Sequence, residues 1–264
     1  MSMPVCRALR SLRHYRVNPM SRTMSSFAAP SHHSPNTMTQ HLHTVRIWDL
    51  PIRLFHWALA ASVIGLVITA KVGGNAMEWH FRLGYLVLAL LVFRILWGVF
   101  GGRWSRFAAF VYSPARLMRY LRGAGHPDDS VGHSPLGALS VFGLLAALVA
   151  QVVTGLLSDD EIAVAGPLTR FVSNAVVGQA TGYHKDIGQY LVLGLVALHV
   201  VAIVYYVLVR KQRLVRPMLH GDKALATPVA PSRDDAQSRL LALVLMALSL
   251  ALSWWVSTLA AAGF

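Results

Sequence analysis

The chain of 264 residues is 55% hydrophobic, only 13% charged, and carries a formal net charge of +13. Its apolar residues are gathered into runs too long for a soluble core, which indicates a multi-pass membrane protein and excludes a soluble globular domain. A single cysteine, Cys6, excludes a disulfide framework, a Cys-based metal cluster and the C-x-x-C-H attachment of a c-type haem.

Five apolar runs each approach the roughly 20 residues that a helix needs to cross the hydrocarbon layer. They lie at about 52–70, 80–100, 136–157, 186–209 and 240–260. A strand barrel would show short alternating segments instead, so we predict an all-α membrane protein. Its first four spans are predicted to form a transmembrane bundle, to which a fifth, C-terminal transmembrane helix is added.

Residues 1–44 precede the bundle, contain no Asp or Glu, and are rich in Ser, Arg, His and Pro. They lack the apolar stretch of a secretory signal peptide. We interpret them as a disordered extension, or as the product of a start codon placed too early, with Met38 as the alternative start. Their composition is also typical of an organelle transit peptide.

The first two spans have clear boundary signals. Asp49 is a good N-cap residue for the first span, and Pro51 is tolerated in its first turn. Gly101 and Gly102 end the second span. The connection at 103–135 mixes arginines with aromatic residues, a pattern typical of a short amphipathic piece at the membrane interface.

The fourth span carries His184 near its start and His199 well inside it. Their separation of 15 residues places them about 22 Å apart along a helix axis and about 60° apart around it. The third span has no histidine and no charge, and its small residues favour close helix packing. Residues 224–239 are predicted to be a linker to the fifth span, which we interpret as an accessory wall.

Charge predicts the orientation of the bundle. Lys and Arg are concentrated before the first span, between the second and third, and after the fourth. The alternate connections are poor in them, and one carries Asp159, Asp160 and Glu161. By the positive-inside rule the N-terminus is cytoplasmic. A nucleic-acid partner is not expected, because the basic residues are divided among three juxtamembrane segments without a folded basic module.

Four of the twelve histidines lie in or at the rim of the predicted spans: His56, His80, His184 and His199. Burying an ionisable group in a bilayer costs roughly 2.5 to 3.5 kcal/mol, so each needs a partner or a purpose. By residue counting, His80 and His184 share an outer level, and His56 and His199 share an inner one. Two levels with two imidazoles each suit two haems, whereas zinc would require three or four converging ligands. For His80 and His184, an interfacial histidine in contact with water is the alternative.

Three arginines are candidates to pair with haem propionates. Arg94 lies at the predicted depth of His199, Arg53 lies three residues before His56, and Arg82 lies beside His80. Snorkelling to lipid headgroups is the alternative, more so for Arg53 and Arg82 than for Arg94.

Glycines close to the histidines leave room for a macrocycle against the helix backbone. Gly84 lies one turn from His80, while Gly188 and Gly194 lie between His184 and His199. Ordinary small-residue packing explains these glycines equally well.

From Val45 to about Lys223 the chain resembles the prokaryotic cytochrome b561 family and the b-type cytochrome subunits of nickel-iron hydrogenases. The resemblance rests on VRIWDLPIRLFHW, FRILWGVFGGRWSRFAAF, TGLLSDDEIAVAGPLTRFVS and the paired-histidine fourth span, in that order. It implies a four-helix domain over 45–223 in the bacterial cytoplasmic membrane that binds two haem b groups. It places His56, His80, His184 and His199 in the ligand positions.

The same resemblance implies electron transfer between a periplasmic redox partner and the membrane quinone pool. The partner would be a c-type cytochrome or a redox enzyme subunit, and the acidic cluster at 159–161 could dock a basic protein of this kind, although a solvated loop explains it too. The resemblance does not explain residues 1–44 or the fifth span.

Two other functions fit parts of the sequence. A proton-coupled transporter or channel could use the intramembrane histidines as a relay, but the sequence shows neither repeats nor Asp or Glu in the span interiors. An anchoring subunit without a cofactor is favoured only if the four-histidine pattern is accidental.

Overall fold

The computed structural model describes residues 42–161 and 164–261. Five stretches of helix are long and apolar enough to cross a membrane: Leu50–Val72, Ala76–Phe100, Pro135–Leu156, Asn174–Leu208 and Ala236–Leu259. The predicted all-α membrane fold is confirmed. The prediction for residues 1–44 lies outside the described residues, except at 42–44.

The helices are numbered in chain order. They are α1 (Leu50–Val72), α2 (Ala76–Phe100), α3 (Pro114–Leu121), α4 (Pro135–Leu156), α5 (Asn174–Gly182), α6 (Gln189–Leu208), α7 (Val215–His220) and α8 (Ala236–Ala261). A short antiparallel ribbon pairs β1 (His43–Arg46) with β2 (Asp222–Leu225). The sequence analysis did not predict this ribbon, because four-residue strands carry too few alternating positions to stand out.

Local capping explains where the spans begin and end. Asp49 caps α1 by accepting a 3.0 Å hydrogen bond from the Ile52 backbone N–H, and Pro51 lies in the first turn, as predicted. Ser134 caps α4 in the same way. At the C-terminal end of α2, Gly101 donates its backbone N–H to the Trp97 carbonyl at 2.9 Å.

The fourth span differs from its prediction. It begins at Asn174 and runs for 35 residues through α5, a π-helical turn at Tyr183–Gly188 and α6. His184 therefore lies inside the span, in the π turn, rather than at its first turn. The polar residues of α5 hide its helix from a search for apolar runs. The exposed Asp186 also lies in this turn, so the prediction that the span interiors hold no carboxylate is wrong.

Helix α2 occupies the centre of the bundle. It packs against α1, α4 and α8, while α4 also packs against α6. Ser253 of α8 donates its hydroxyl to the Tyr85 carbonyl of α2 at 2.6 Å. The fifth span is therefore attached directly to the central helix.

We name the two ends of the bundle by their charge. The acidic end carries Asp159–Glu161, and the basic end carries the connections at 101–134 and 209–235. At the basic end Asp49 is completely buried and accepts hydrogen bonds from Trp97 Nε1 at 3.0 Å and Ser105 Oγ at 2.6 Å. Burial raises the pKa of the Asp49 carboxyl, and these hydrogen bonds oppose the rise.

Other segments of the basic end pack around Asp49. Ser232, in the predicted linker, donates to the Ile47 carbonyl at 2.7 Å, so this stretch is fixed to the bundle. Phe110 is buried, with 1% of its surface exposed, although the sequence predicted an interfacial position for the aromatic residues of this connection. The connections of the basic end are thus packed against buried side chains.

Candidate functional site

His80 of α2 and His184 of the π turn face each other near the acidic end. Their ring centroids are 6.3 Å apart and their planes are perpendicular. A metal–nitrogen bond of about 2 Å on each side, together with the distance from each nitrogen to its ring centre, gives a separation close to this one. The spacing of the two imidazoles would suit two ligands of one iron.

Backbone carbonyls orient both rings of this outer pair. His80 Nδ1 lies 3.1 Å from the Leu66 carbonyl and 3.3 Å from Thr69 Oγ1, and His184 Nδ1 lies 2.8 Å from the Gln151 carbonyl. Because a carbonyl oxygen only accepts, each Nδ1 must carry the proton that it donates. The remaining nitrogen, Nε2, keeps its lone pair and is suited to bind a metal.

A cavity of about 500 Å³ adjoins the outer pair between α1, α2, α4 and α6. Its size falls in the usual range for cofactor pockets. Apolar residues form most of its wall, including Val63, Leu66, Phe81, Leu148, Val152 and Val192. Lys71, Lys185, Asp159 and Asp160 also line it. The cavity is therefore suited to a largely apolar group that carries charged substituents.

Glycines shape this cavity in two different ways. Gly84 lines it, and a Cβ added there would meet nothing within 4 Å, so a side chain would enter open space. A Cβ at Gly155 would lie 2.8 Å from Cε1 of His184, and one at Gly188 would lie 2.0 Å from Oε1 of Gln151. Gly155 and Gly188 therefore accommodate protein side chains, whereas Gly84 leaves space for a ligand.

His56 of α1 and His199 of α6 form the second pair, nearer the basic end. Both are half-buried, and they lie close enough to interact electrostatically. His199 Nδ1 is 3.4 Å from Ser140 Oγ of α4. His56 Nδ1 is buried and has no hydrogen-bond partner within the described parts of the chain. Such an orphaned nitrogen is compatible with a missing ligand.

The histidines form pairs rather than a cluster. Within residues 42–161 and 164–261, no group of three or more His, Cys, Asp or Glu side chains is placed to hold a metal ion. A tetrahedral zinc site needs such a group, whereas a haem iron needs two axial ligands. The arrangement favours haem.

The three candidate arginines have different surroundings. Arg94 is 2% exposed, donates from Nη1 to the Ser105 carbonyl at 3.2 Å, and lies 4.5 Å from the ring centre of Phe107. Arg53 donates to the Leu219 carbonyl at 2.5 Å. Arg82 pairs with Glu78 and stacks over Trp79, with 58% of its side chain exposed. Arg82 thus points away from the cavity, and Lys71 and Lys185 are the cations that line it.

His133 is a partly buried histidine that was not singled out from the sequence. Its ring centre lies 4.6 Å from that of Trp48 and 4.3 Å from that of Phe110, and its Nδ1 lacks a hydrogen-bond partner among the described residues. Burial, assisted by Arg94 and Lys223, lowers the pKa of His133 to about 3. Since His133 lies outside the apolar runs, its partial burial becomes visible only from its position between two aromatic side chains.

This lowered pKa predicts a pH-dependent stability. Between pH 6.5 and about pH 3 the unfolded chain binds a proton at this histidine and the folded chain does not. The free energy of unfolding should therefore fall on acidification, by up to about 1.4 kcal/mol per pH unit from this group. His133→Phe should flatten that dependence, as measured by thermal unfolding at several pH values. The exposed His126 is the control, and a His133→Phe slope equal to that of His126→Asn would contradict the prediction.

The family model described as prokaryotic cytochrome b561 matches residues 47–221, more than half of the chain. No solved structure matches the chain.

Three relatives carry the name of probable Ni/Fe-hydrogenase B-type cytochrome subunits. That of Cupriavidus necator is 24% identical over 207 residues, which cover 66% of this chain and 85% of the relative. That of Azotobacter chroococcum is 25% identical over 209 residues, covering 67% and 87%. The hydrogenase 1 subunit of Escherichia coli is 25% identical over 135 residues, covering 41% and 57%. The chain thus spans little more than half the length of the Escherichia coli relative.

Proposed function

The chain belongs to the prokaryotic cytochrome b561 family, and from this premise we propose that it carries electrons across a bacterial membrane through two haem b groups. The observation that supports this most directly is the outer pair, whose ring centroids are 6.3 Å apart and whose Nδ1 atoms are held by backbone carbonyls. His80 and His184 would hold the outer haem. His56 and His199 would hold the inner one.

When bound, each haem supplies one-electron redox chemistry, and the protein provides its ligation, orientation and dielectric surroundings. The Leu66 and Gln151 carbonyls increase the basicity of the outer imidazoles by accepting hydrogen bonds from their Nδ1–H groups. The apolar walls formed by α1, α2, α4 and α6 exclude water from the ligands.

Basic side chains would pair with the propionates. For the outer haem we propose Lys71 and Lys185, which line the cavity, while Arg82 could join them only by leaving Glu78. For the inner haem Arg94 is the main candidate, because it is a buried cation that the described carboxylates do not pair with in a salt bridge. Arg53, held by the Leu219 carbonyl, is the second.

The electron partners follow from the relatives and from charge. We propose a redox enzyme subunit or a c-type cytochrome at the acidic end, because relatives are named as hydrogenase subunits and because Asp159 and Asp160 border the outer cavity. The other partner would be a membrane quinone. The positive-inside rule supports a cytoplasmic basic end and an N-terminus on the same side.

Reconstitution into liposomes tests this function. Haem-loaded protein should be reduced by a quinol, as seen in the visible absorption of the haem, and reoxidised by the quinone or by an added c-type cytochrome. A haem-free preparation of the same chain is the control. Haem that stays oxidised with excess quinol, and stays reduced with excess quinone, would contradict quinone-linked electron transfer.

A further inference from the structure

Gln151 of α4 makes two contacts with the π turn that carries His184. Its backbone carbonyl lies 2.8 Å from His184 Nδ1, and its side-chain Nε2 donates to the His184 carbonyl at 3.0 Å. One residue thus holds both the ring and the main chain of the same histidine. It lies in the last third of α4, a span that holds two other polar side chains, Ser140 and Thr154.

The π turn explains why such a contact is needed. A π-helical turn departs from the regular α-helical hydrogen-bond ladder and often marks a functional site. Here two side-chain amides donate to consecutive carbonyls of the turn, Gln151 to that of His184 and Gln189 to that of Lys185. These donors stabilise an irregular stretch of backbone inside a membrane span, where unsatisfied groups are costly.

Two glycines complete the fit around this contact. A Cβ at Gly188 would lie 2.0 Å from Gln151 Oε1, so only glycine lets the amide reach the turn. A Cβ at Gly155, one turn beyond Gln151, would lie 2.8 Å from the His184 ring. Gln151, Gly155, His184 and Gly188 therefore pack closely together, and the Gln151 amide holds the main chain of His184 while the Gln151 backbone carbonyl holds its ring.

We propose that Gln151 is the positioning residue that sets the orientation of the His184 imidazole. This inference rests on the proposed function, in which His184 is an axial ligand. The ring of His80 is fixed separately by Leu66 and Thr69 of α1. Gln151 thereby maintains the perpendicular arrangement of the two rings.

Electron paramagnetic resonance tests the proposal, because the low-field signal of an oxidised low-spin haem depends on the angle between its two imidazole planes. Gln151→Met keeps the length of the side chain and removes the donor. We expect it to retain both haems, to shift the low-field signal and midpoint potential of the outer haem, and to leave the inner haem unchanged. Competition with a haem-scavenging protein should show an affinity for the outer haem about tenfold lower.

Gly188→Ala provides a second route to the same result, since its methyl group must displace the Gln151 amide. Gly178→Ala is the matched control, because its Cβ would meet nothing within 4 Å. Wild-type signals in both Gln151→Met and Gly188→Ala would overturn the positioning role while leaving the two-haem function intact. A wild-type protein with no outer haem would instead overturn the proposed function on which the inference rests.

Discussion

Replacing His199 by alanine is expected to halve the haem content of the purified protein. Its partner His56 has a buried Nδ1 without a hydrogen-bond partner among the described residues, which also contain no group of three or more possible metal ligands. Loss of one axial ligand should therefore release the inner haem. The outer pair should keep its haem. Its rings are oriented by the Leu66 and Gln151 carbonyls, and neither of these residues belongs to α6.

Haem extraction per mole of protein, with the redox titration of the remaining haem, provides the measurement. His220→Ala is the control, since this exposed histidine lies at the end of α7 outside the spans. Two haems in a monodisperse His199→Ala protein would show that the pairing of His56 with His199 is wrong.

Removing the Asp49 carboxylate is expected to cause a large fall in the free energy of unfolding. Asp49→Ala would leave the Ile52 N–H, Trp97 Nε1 and Ser105 Oγ without their acceptor in a fully buried position. Breaking a buried charged network of this kind costs about 3 to 5 kcal/mol. The contact joins α1, α2 and the connection that follows, so the basic end should open as a unit.

Thermal unfolding in detergent measures this effect. Asp49→Asn should be milder than Asp49→Ala because it keeps one acceptor oxygen. Asp128→Asn is the control, because 67% of the Asp128 side chain is exposed. A melting temperature of Asp49→Ala equal to that of Asp128→Asn would contradict the structural role of the carboxylate.

The sequence predicted those features that depend on composition and on local capping. Apolar runs revealed the spans, and Asp49 with Pro51 marked the start of α1, because these signals are contained in a few neighbouring residues. The two levels of histidines were expected from helix geometry, and the haem sites assigned to them stay a prediction. The start of the fourth span was missed because α5 is polar, and a π turn has no sequence period of its own.

Other features depend on contacts between distant segments. Asp49 reaches Ser105 of the connection after α2, and Gln151 of α4 reaches His184 of the π turn, and neither partner can be identified from spacing along the chain. A single glutamine in an apolar span was the only available signal for the second contact. The orientation of the Arg82 side chain could not be predicted either. Whether it pairs with Glu78 or lines the cavity depends on how the helices pack.

The central claim is that this chain holds two haem b groups between two pairs of histidines. The most direct measurement is the haem-to-protein ratio and the reduced-minus-oxidised spectrum of the full chain purified from haem-replete cells. We expect two b-type haems per chain, both low-spin and with separate midpoint potentials. A folded preparation with a single haem, or with none, would contradict it.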